Sequence, residues 1–209
     1  MDVEIIRSRR RTLSLSVTEN GKVVVRAPLY AGEEEITRFL SKHIRWIEKR
    51  ISEQTVPSLD LSDGARVVLF GRENTVAEGR ARFSGGTLFL PQEGREEALV
   101  RLLKRETVGY MGALTERIAG QYGFSYSAVR ASSARGRWGS CNAQGRIAYS
   151  FRVAFLPPSL LEYLCVHELC HTRYMNHGPG FWREVQKILP DWRGRRTNLK
   201  NYGGYMRLL

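Results

Sequence analysis

The sequence predicts an α+β fold with a β-rich N-terminal part that contains one helix and a helix-rich C-terminal part with a small sheet. Three observations predict this division. Short segments of alternating polar and apolar residues dominate the chain before residue 92. From Glu93 onward, apolar residues recur at helical spacing, and a later helical stretch carries the pattern H-E-x-x-H. We therefore expect two domains, residues 1–92 and residues 93–209.

The N-terminal part is predicted to begin with a β-hairpin that is followed by a helix. Residues 13–17 and 23–27 alternate as strands do, and Glu19-Asn20-Gly21 between them is a turn signal. Residues 33–52 are predicted to form one helix, because their apolar residues recur on one side: Ile36, Phe39, Leu40, Ile44 and Ile47. A linker at 55–64 leads to the remaining predicted strands, at 66–70, 73–78 and 87–90.

The C-terminal part is predicted to contain a long helix, two strands and two shorter helices. The long helix runs from Glu93 to about Tyr122 and ends at Gly123, and strands follow at about 127–131 and 146–153. Pro157-Pro158-Ser159 then predicts a helix start in which Ser159 caps the first turn. A last amphipathic stretch ends at Pro190, and its Phe181-Trp182 pair is interpreted as a packing anchor.

Three of the four histidines fall in the segment 166–178, V-H-E-L-C-H-T-R-Y-M-N-H-G, and this cluster carries the functional prediction. His167 and His171 are one helical turn apart, so both imidazoles lie on one face and can reach a single Zn²⁺ at about 2.0–2.1 Å. Glu168 follows the first of them, which places its carboxylate beside the metal without binding it. There it can act as a general base toward a water that the metal has made acidic.

A catalytic zinc site needs a third protein ligand, for which His177 and Glu184 are the two candidates. An unbroken helix would turn His177 away from the metal, so the helix must end between His171 and His177. Asn176 and Gly178-Pro179 are suited to ending it. We favour His177, because metal binding is the commonest special role of histidine, and we keep Glu184 as the alternative.

Further motifs extend in order along nearly the whole chain: S-R-R-R-T-L-S-L at 8–15, V-R-A-P at 25–28, F-L-S-K-H-I-R-W-I at 39–47, R-W-G-S-C at 137–141, V-H-E-L-C-H at 166–171, N-H-G-P-G-F-W at 176–182 and L-P-D-W at 189–192. In these motifs the chain resembles the YgjP-like metallopeptidase domain family, and the pair R-W-G-S-C and H-E-L-C-H is distinctive. The resemblance implies a zincin-like domain in residues 93–209, with zinc ligands at His167, His171 and His177 and Glu168 as general base. A more distant similarity links the chain to SprT-like and WLM zinc proteases, some of which act on DNA-linked proteins.

Charge and composition predict the partners and the compartment. Residues 1–92 carry 15 Lys/Arg against 12 Asp/Glu, a net charge of +3, whereas residues 93–209 carry 18 against 9, a net charge of +9. The basic C-terminal half would attract anionic partners such as nucleic acid or nucleotides. The three cysteines show no paired spacing, and neither a signal-peptide pattern nor an apolar stretch of about 18 residues is present. We therefore expect a cytoplasmic protein without a membrane partner.

The substrate is expected to lie along a sheet edge beside the metal, as extended peptides often do in zinc proteases. We place that edge at residues 146–150 and in the preceding loop 137–141. The alternative interpretation is a plain hairpin with Trp138 in the core. A tetrahedral intermediate also needs a hydrogen-bond donor besides the zinc, for which Arg137, Tyr149 and Arg173 are candidates. With Trp138, these residues form the predicted substrate-binding set.

The sequence predicts a metal-dependent hydrolase, with a metallopeptidase that cleaves a polypeptide as the leading hypothesis. The cofactor is expected to be Zn²⁺, although imidazole ligands suit other divalent transition metals as well. The first alternative is a nucleoside-triphosphate pyrophosphatase, an activity also ascribed to the family that the chain resembles, in which arginines would bind phosphates bidentately. Against it, the sequence has no glycine-rich phosphate loop. A weaker alternative is a DNA-associated protease or a non-catalytic zinc protein.

Overall fold

The computed structural model describes residues 3–18, 21–54 and 56–209 and confirms the α+β class. The chain divides into two compact units, Met1–Pro57 with Lys200–Gly204 and Ser58–Leu199 with Tyr205–Leu209. The boundary that we expected near residue 92 lies inside the second unit. Residues on both sides of it share one core: Leu61, Leu69, Leu88, Leu90, Leu99, Leu102 and Leu103. The change of pattern near residue 92 therefore marks a change from strands to a helix within one core.

The first unit contains a three-stranded sheet and two helices. Strands β1 (Val3–Ser8), β2 (Ser14–Val17) and β3 (Val23–Pro28) lie in the order β1-β3-β2, with β1 parallel and β2 antiparallel to β3. The pairing of β2 with β3 confirms the two predicted hairpin strands, while residues 19 and 20 of the expected turn lie outside the described residues. Strand β1 was not predicted.

The single helix expected at 33–52 is divided at His43 into α1 (Glu33–Lys42) and α2 (Ile44–Gln54). The backbone N–H of His43 donates to the carbonyl of Leu40 at 3.0 Å, and its ring Nδ1 donates to the carbonyl of Phe39 at 2.8 Å. These bonds satisfy carbonyl groups that the end of a helix leaves without a partner. Local capping by His43 therefore ends α1, which hydrophobic periodicity alone could not show.

The second unit begins with a four-stranded sheet that packs on the long helix. Strands β4 (Arg66–Leu69), β5 (Arg72–Glu78), β6 (Arg82–Ser84) and β7 (Thr87–Leu90) lie in the order β4-β5-β7-β6. Phe70 and Gly71 form the turn between β4 and β5 with φ of 51° and 74°. A Cβ at Gly71 would lie 2.4 Å from the Pro158 side chain. Glycine therefore lets this turn pack against Pro158, which begins a later helix.

The long helix α3 (Arg95–Tyr122) ends at Gly123, which has φ of 68°, as the sequence predicts. A three-stranded sheet follows, formed by β8 (Ala128–Ser132), β9 (Gly139–Cys141) and β10 (Arg146–Ser150) in the order β8-β10-β9. The expected edge position of residues 146–150 is therefore wrong, because β10 lies in the centre of the sheet. The edge strand is β9, which comes from the loop at 137–141 that we also placed there.

Strand β10 ends at Ser150, earlier than predicted, because residues Phe151–Phe155 form a 3-10 helix. The side chain of Ser150 accepts a hydrogen bond from the backbone N–H of Arg152 and caps this turn. The following helix α4 (Pro158–Cys170) begins with proline in its first turn and Pro157 as N-cap. The expected capping role of Ser159 is therefore wrong, since Ser159 already lies inside the helix.

Helix α4 is the central element of the second unit and is apolar nearly all round. Its buried residues are Leu160, Leu161, Tyr163, Leu164, Cys165, Val166, Glu168, Leu169 and Cys170. It contacts α3, the edge strand β9 and the two helices that follow, α5 (Pro179–Ile188) and α6 (Trp192–Leu199). A 3-10 helix, Lys200–Arg207, follows α6. A helix enclosed in this way is held rigidly, as a catalytic ligand set requires.

Arg152 is a buried cation that joins distant segments of the second unit. Only 1% of its surface is exposed, and its guanidinium donates to the carbonyls of Leu208 at 2.7 Å, Ser133 at 3.2 Å and Leu209. Burial lowers the pKa of this guanidinium, and the nearby charge of Arg135 lowers it further.

In the described part of the chain, no helix is long and apolar enough to cross a membrane.

Candidate metal centre

Three histidines converge at the C-terminal end of α4, as the sequence predicts. Each of His167, His171 and His177 offers a ring nitrogen that lies within 4.8 Å of the other two, and the Nε2 atoms of His167 and His177 are 3.0 Å apart. Nitrogens that bind one tetrahedral zinc lie about 3.4 Å from each other. The three donors are thus already arranged around a space of the size of one ion.

The chain brings His177 back to α4 because the helix ends before that residue, as expected. Helix α4 stops at Cys170, whose carbonyl accepts hydrogen bonds from the backbone N–H of Arg173 and of Tyr174 at 3.1 and 2.9 Å. The next helix starts at Pro179, with proline in its first turn. The segment between the two helices forms a tight turn that returns His177 to the face of His167 and His171.

A backbone carbonyl fixes the orientation of one imidazole. The Nδ1 atom of His171 lies 3.0 Å from the carbonyl oxygen of Tyr174. A carbonyl only accepts hydrogen bonds, so Nδ1 carries the proton and the lone pair resides on Nε2. Metal-binding histidines use such a second contact to set the tautomer and direct the free nitrogen.

Aromatic side chains pack against the three imidazoles. Phe181 is fully buried, and its ring centre lies 4.6 to 4.9 Å from the centres of all three imidazoles. Trp182 stacks on His177 at 5.5 Å and on Trp192 at 4.3 Å. The indole N–H of Trp192 donates to Gln186 Oε1 at 2.7 Å. Phe181 and Trp182 are thus packing anchors, and the side chains that they hold in place are the histidines.

The surroundings favour the neutral form of two of the imidazoles, those of His167 and His177. Burial and, to a smaller extent, the neighbouring histidines lower the pKa of His167 to about 3. Burial also lowers the pKa of the exposed His177, together with the charges of His171 and Arg196. The Nδ1 atom of His167 is buried without a hydrogen-bond partner in the described part of the chain. Neutral imidazole is the form that binds a metal ion.

Glu168 is a buried carboxyl group beside this cluster. Only 4% of the residue is exposed, and its Oε2 has no hydrogen-bond partner among the described residues. Burial raises the pKa of Glu168 to about 8, against the opposing charge of Arg137. An unsatisfied buried carboxyl group destabilises a fold by about 1–3 kcal/mol, so its retention calls for a role in chemistry.

The R-W-G-S-C motif lies directly against Glu168. A Cβ at Gly139 would be 2.5 Å from Glu168 Oε1 and 2.8 Å from its carboxyl carbon, so any larger residue at the start of β9 would displace the carboxyl group. Sequence reasoning missed this role of Gly139. The one signal in the sequence was that R-W-G-S-C and H-E-L-C-H occur together in the family that the chain resembles. The contact itself depends on how β9 packs on α4, which residue patterns do not show.

Glu184, the alternative third ligand, does not join the histidine cluster. Its Oε1 accepts a hydrogen bond from Arg173 Nη1 at 2.5 Å, and its Oε2 lies 3.4 Å from the ammonium group of Lys187. Arg173 also donates to the carbonyl of Gly123 at 2.6 Å and lies over the ring of Phe124. Both side chains are thus engaged in joining the turn after α4 to α5 and to the end of α3, which corrects the expected substrate role of Arg173.

The other predicted substrate residues have separate positions. Tyr149 is fully buried, and its hydroxyl lies 3.3 Å from the hydroxyl of Thr115, so its expected contact with the substrate is wrong. Trp138 is partly buried, and its carbonyl accepts a hydrogen bond from the N–H of Ser150 at 2.8 Å. Arg137 is exposed, and its charge reaches Glu168. Arg137 and Trp138 therefore remain at the site through their place next to Gly139.

One of the basic residues of the C-terminal half, Arg196, lies near the histidines. The guanidinium carbon of Arg196 lies 4.8 Å from the ring centre of Trp182, the tryptophan that stacks on His177. Its charge contributes to the lowered pKa of both His167 and His177. The spacing of residues in the sequence gives no signal for this contact, because it depends on how α6 packs against α5 through the stacked tryptophans.

Comparison with known proteins adds a family. The family model described as YgjP-like, metallopeptidase domain matches residues 11–202. The chain is also similar to the crystal structure of the metallopeptidase zymogen of Pyrococcus abyssi abylysin, with 23% identity over 43% of this chain and 90% of that chain, and a TM-score of 0.40. No curated protein shows a significant match.

Proposed function

Since the chain belongs to the YgjP-like metallopeptidase domain family, and so to a family of metal-dependent hydrolases, we propose that it is a zinc peptidase with Glu168 as general base. The observation that carries the proposal is the pairing of a buried carboxyl group without a hydrogen-bond partner with three convergent imidazoles. The ligands in this proposal are His167, His171 and His177. Three neutral imidazoles fit a catalytic zinc, which leaves one coordination position for water or substrate.

Glu168 and Gly139 have separate roles in the proposed hydrolysis. When bound, the metal supplies a Lewis acid that polarises the scissile carbonyl and makes a water more acidic. Glu168 takes the proton from that water as the water attacks the carbonyl carbon, and it then passes the proton to the leaving amine. Burial keeps the proton affinity of Glu168 high, so that this side chain can both take up and release a proton near neutral pH. Gly139 leaves room for the carboxyl group in this position.

Strand β9 supports a peptide as the substrate. It pairs with β10 on one side, and its other side is an unpaired edge within the described residues. The strand starts at Gly139, which contacts Glu168, so an extended peptide added to this edge would run beside the carboxyl group. Arg137 precedes the strand and is the candidate donor to the oxyanion that develops on the scissile carbonyl.

The arginine run after α5 favours the peptidase over a nucleotide hydrolase. Cleavage of a triphosphate requires several cations around the phosphate oxygens. Arg195 lies 2.6 Å from Glu162 Oε2 and 2.9 Å from Asp191 Oδ2, so carboxylates of the chain already neutralise its charge. A nucleotide hydrolase would have to bind the phosphates through Arg193 and Arg196 without Arg195.

The test of the proposal is the variant Glu168→Gln. The amide keeps the size of the side chain and removes the base, so we expect unchanged zinc content and a loss of about two to four decades in the cleavage rate of denatured casein. Metal analysis and proteolysis assays on the same preparation measure both quantities. Glu168-dependent release of pyrophosphate from nucleoside triphosphates, without cleavage of any polypeptide, would contradict the proposal.

A further inference from the structure

Arg196 lies next to the histidine cluster on an aromatic platform. Trp182 stacks on His177 at 5.5 Å, and the guanidinium of Arg196 lies 4.8 Å from the centre of the Trp182 ring. The side chain of Arg196 is exposed to solvent, so a ligand at the site can reach it.

The chain leaves the charge of Arg196 without an ion pair among the described residues. Residues 158–199 contain four acidic residues: Glu162, Glu168, Glu184 and Asp191. Arg195 holds two of them, at 2.6 and 2.9 Å, and Glu184 pairs with Arg173 at 2.5 Å. The fourth, Glu168, is the buried carboxyl group of the site. The charge of Arg196 is therefore available to an anionic ligand.

The platform presents the guanidinium in a form suited to a carboxylate. A guanidinium that lies over an aromatic ring uses its face for the cation–π contact and keeps its N–H groups at the edge free. Those N–H groups match the two oxygens of a carboxylate bidentately. Trp182 is itself fixed by Trp192 at 4.3 Å, and Trp192 by Gln186, so the guanidinium rests on a rigid support.

From these observations we propose that Arg196 forms a subsite for a carboxylate of the peptide substrate, so that the enzyme prefers acidic residues near the scissile bond. This inference rests on the proposed peptidase function and names its substrate class. The bound group is the side chain of an Asp or Glu within the peptide. A carboxylate at the C-terminus of a peptide carries the same chemistry, and the test below separates the two.

The structure provides a matched control for Arg196 on the same helix. Arg193 lies 4.8 Å from the ring centre of Trp192, the same cation–π distance that Arg196 has to Trp182, and it also donates to Gln186 Oε1 at 3.3 Å. Trp182 is the tryptophan that contacts His167 and His177. Removing either arginine changes the net charge by the same amount, but the carboxylate preference should depend on Arg196 alone.

The experiment uses four unstructured peptides, the last of which is the Lys analogue of the first. The first has both ends capped and carries Glu residues, the second is its Gln analogue, and the third is the Gln analogue with a free C-terminal carboxylate. We expect wild type to cleave the capped Glu peptide with a kcat/KM at least tenfold above that of the Gln analogue. Arg196→Gln should abolish this ratio, mainly through KM, whereas Arg193→Gln should retain it. Arg196→Glu should reverse the preference toward a Lys analogue.

Two outcomes would overturn the inference: equal kcat/KM values for the Glu and Gln peptides with wild type, or an unchanged preference in Arg196→Gln. A preference for the free C-terminal carboxylate alone would overturn the assignment to an acidic side chain. If no peptide is cleaved at all, the proposed function fails separately. Binding of the same peptides to zinc-loaded Glu168→Gln then decides the inference, since equal affinity for the Glu and Gln peptides would overturn it as well.

Discussion

Single contacts decide what the side chains of the metal centre can do. The imidazole of His171 is directed by one carbonyl, that of Tyr174, and the carboxyl group of Glu168 fits because Gly139 has no side chain. Neither contact strengthens a ligand directly. Both restrict a side chain to one position, and that restriction separates a catalytic site from a set of suitable residues.

The two candidate third ligands make distinct predictions. His177→Ala removes one of three convergent nitrogens, so we expect the zinc affinity to fall by at least about 100-fold. Glu184→Gln should keep wild-type zinc affinity, because Glu184 pairs with Arg173 and Lys187 instead. Competition with a chromophoric chelator measures both affinities. Loss of zinc from Glu184→Gln with retention in His177→Ala would show that the carboxylate is the ligand.

The contact between β9 and Glu168 predicts an effect of a single methyl group. In Gly139→Ala the new Cβ would lie 2.5 Å from Glu168 Oε1, so the carboxyl group must move, and we expect kcat to fall at least about tenfold with the zinc retained. Gly136→Ala in the same loop is the control, because no atom lies within 4 Å of a Cβ there. Equal activity of the two variants would show that this packing does not position Glu168.

At the scale of elements, local sequence patterns predicted those helices and strands that depend on a helical or alternating spacing of apolar residues. The end of α3 at Gly123 follows from a residue preference, and the structure confirms it. Helix α4 does end before His177, but it ends at Cys170, and Asn176 does not adopt the left-handed conformation that was expected to end it. The central place of β10 depends on which strands pair, and alternation within a single strand contains no such information. The same limit explains why the contact of Gly139 with Glu168 and that of Arg196 with Trp182 were missed, since both contacts join elements that are distant in the sequence.

Arg152 shows how one side chain can hold several segments together, and it gives a stability prediction. Arg152→Met would leave the carbonyls of Leu208 and Ser133 without the donor that Arg152 provides, and would leave Leu209 with only the bond from Arg135, so we expect a loss of about 3 kcal/mol in the free energy of unfolding. Arg135→Gln is the control, because this exposed arginine donates only to Leu209 at 3.3 Å and should change stability by less than about 1 kcal/mol. Urea denaturation measures both changes.

At the scale of the whole molecule, the metal centre destabilises the fold in which it is built. The metal-free site buries a carboxyl group and an imidazole that water would solvate better. The apolar surroundings of α4 allow this, because a large core supplies the stability that the site removes. Residues on both sides of position 92 share one core, and this shared core is part of that support.

The pKa of Glu168 predicts how the stability of the metal-free protein changes with pH. Folding raises this pKa from 4.5 to about 8, so the folded state holds the proton more tightly than the unfolded state. The free energy of unfolding should therefore decrease as the pH rises from about 4.5 to 8. Glu168→Gln removes this dependence, so the variant should be more stable than wild type at pH 8.5 and nearly equal to it at pH 4.5.

Thermal unfolding of both proteins in the presence of a chelator, across this pH range, measures the difference. His167 does not produce it, because His167 is present in both proteins and its own lowered pKa destabilises each of them as the pH falls below 6.5. Zinc should reduce the advantage of the variant at pH 8.5, since a bound cation stabilises the ionised carboxylate. If the two melting temperatures differ by the same amount at pH 4.5 and pH 8.5 without metal, burial does not raise the pKa of Glu168, and its place as a poised base loses its physical support.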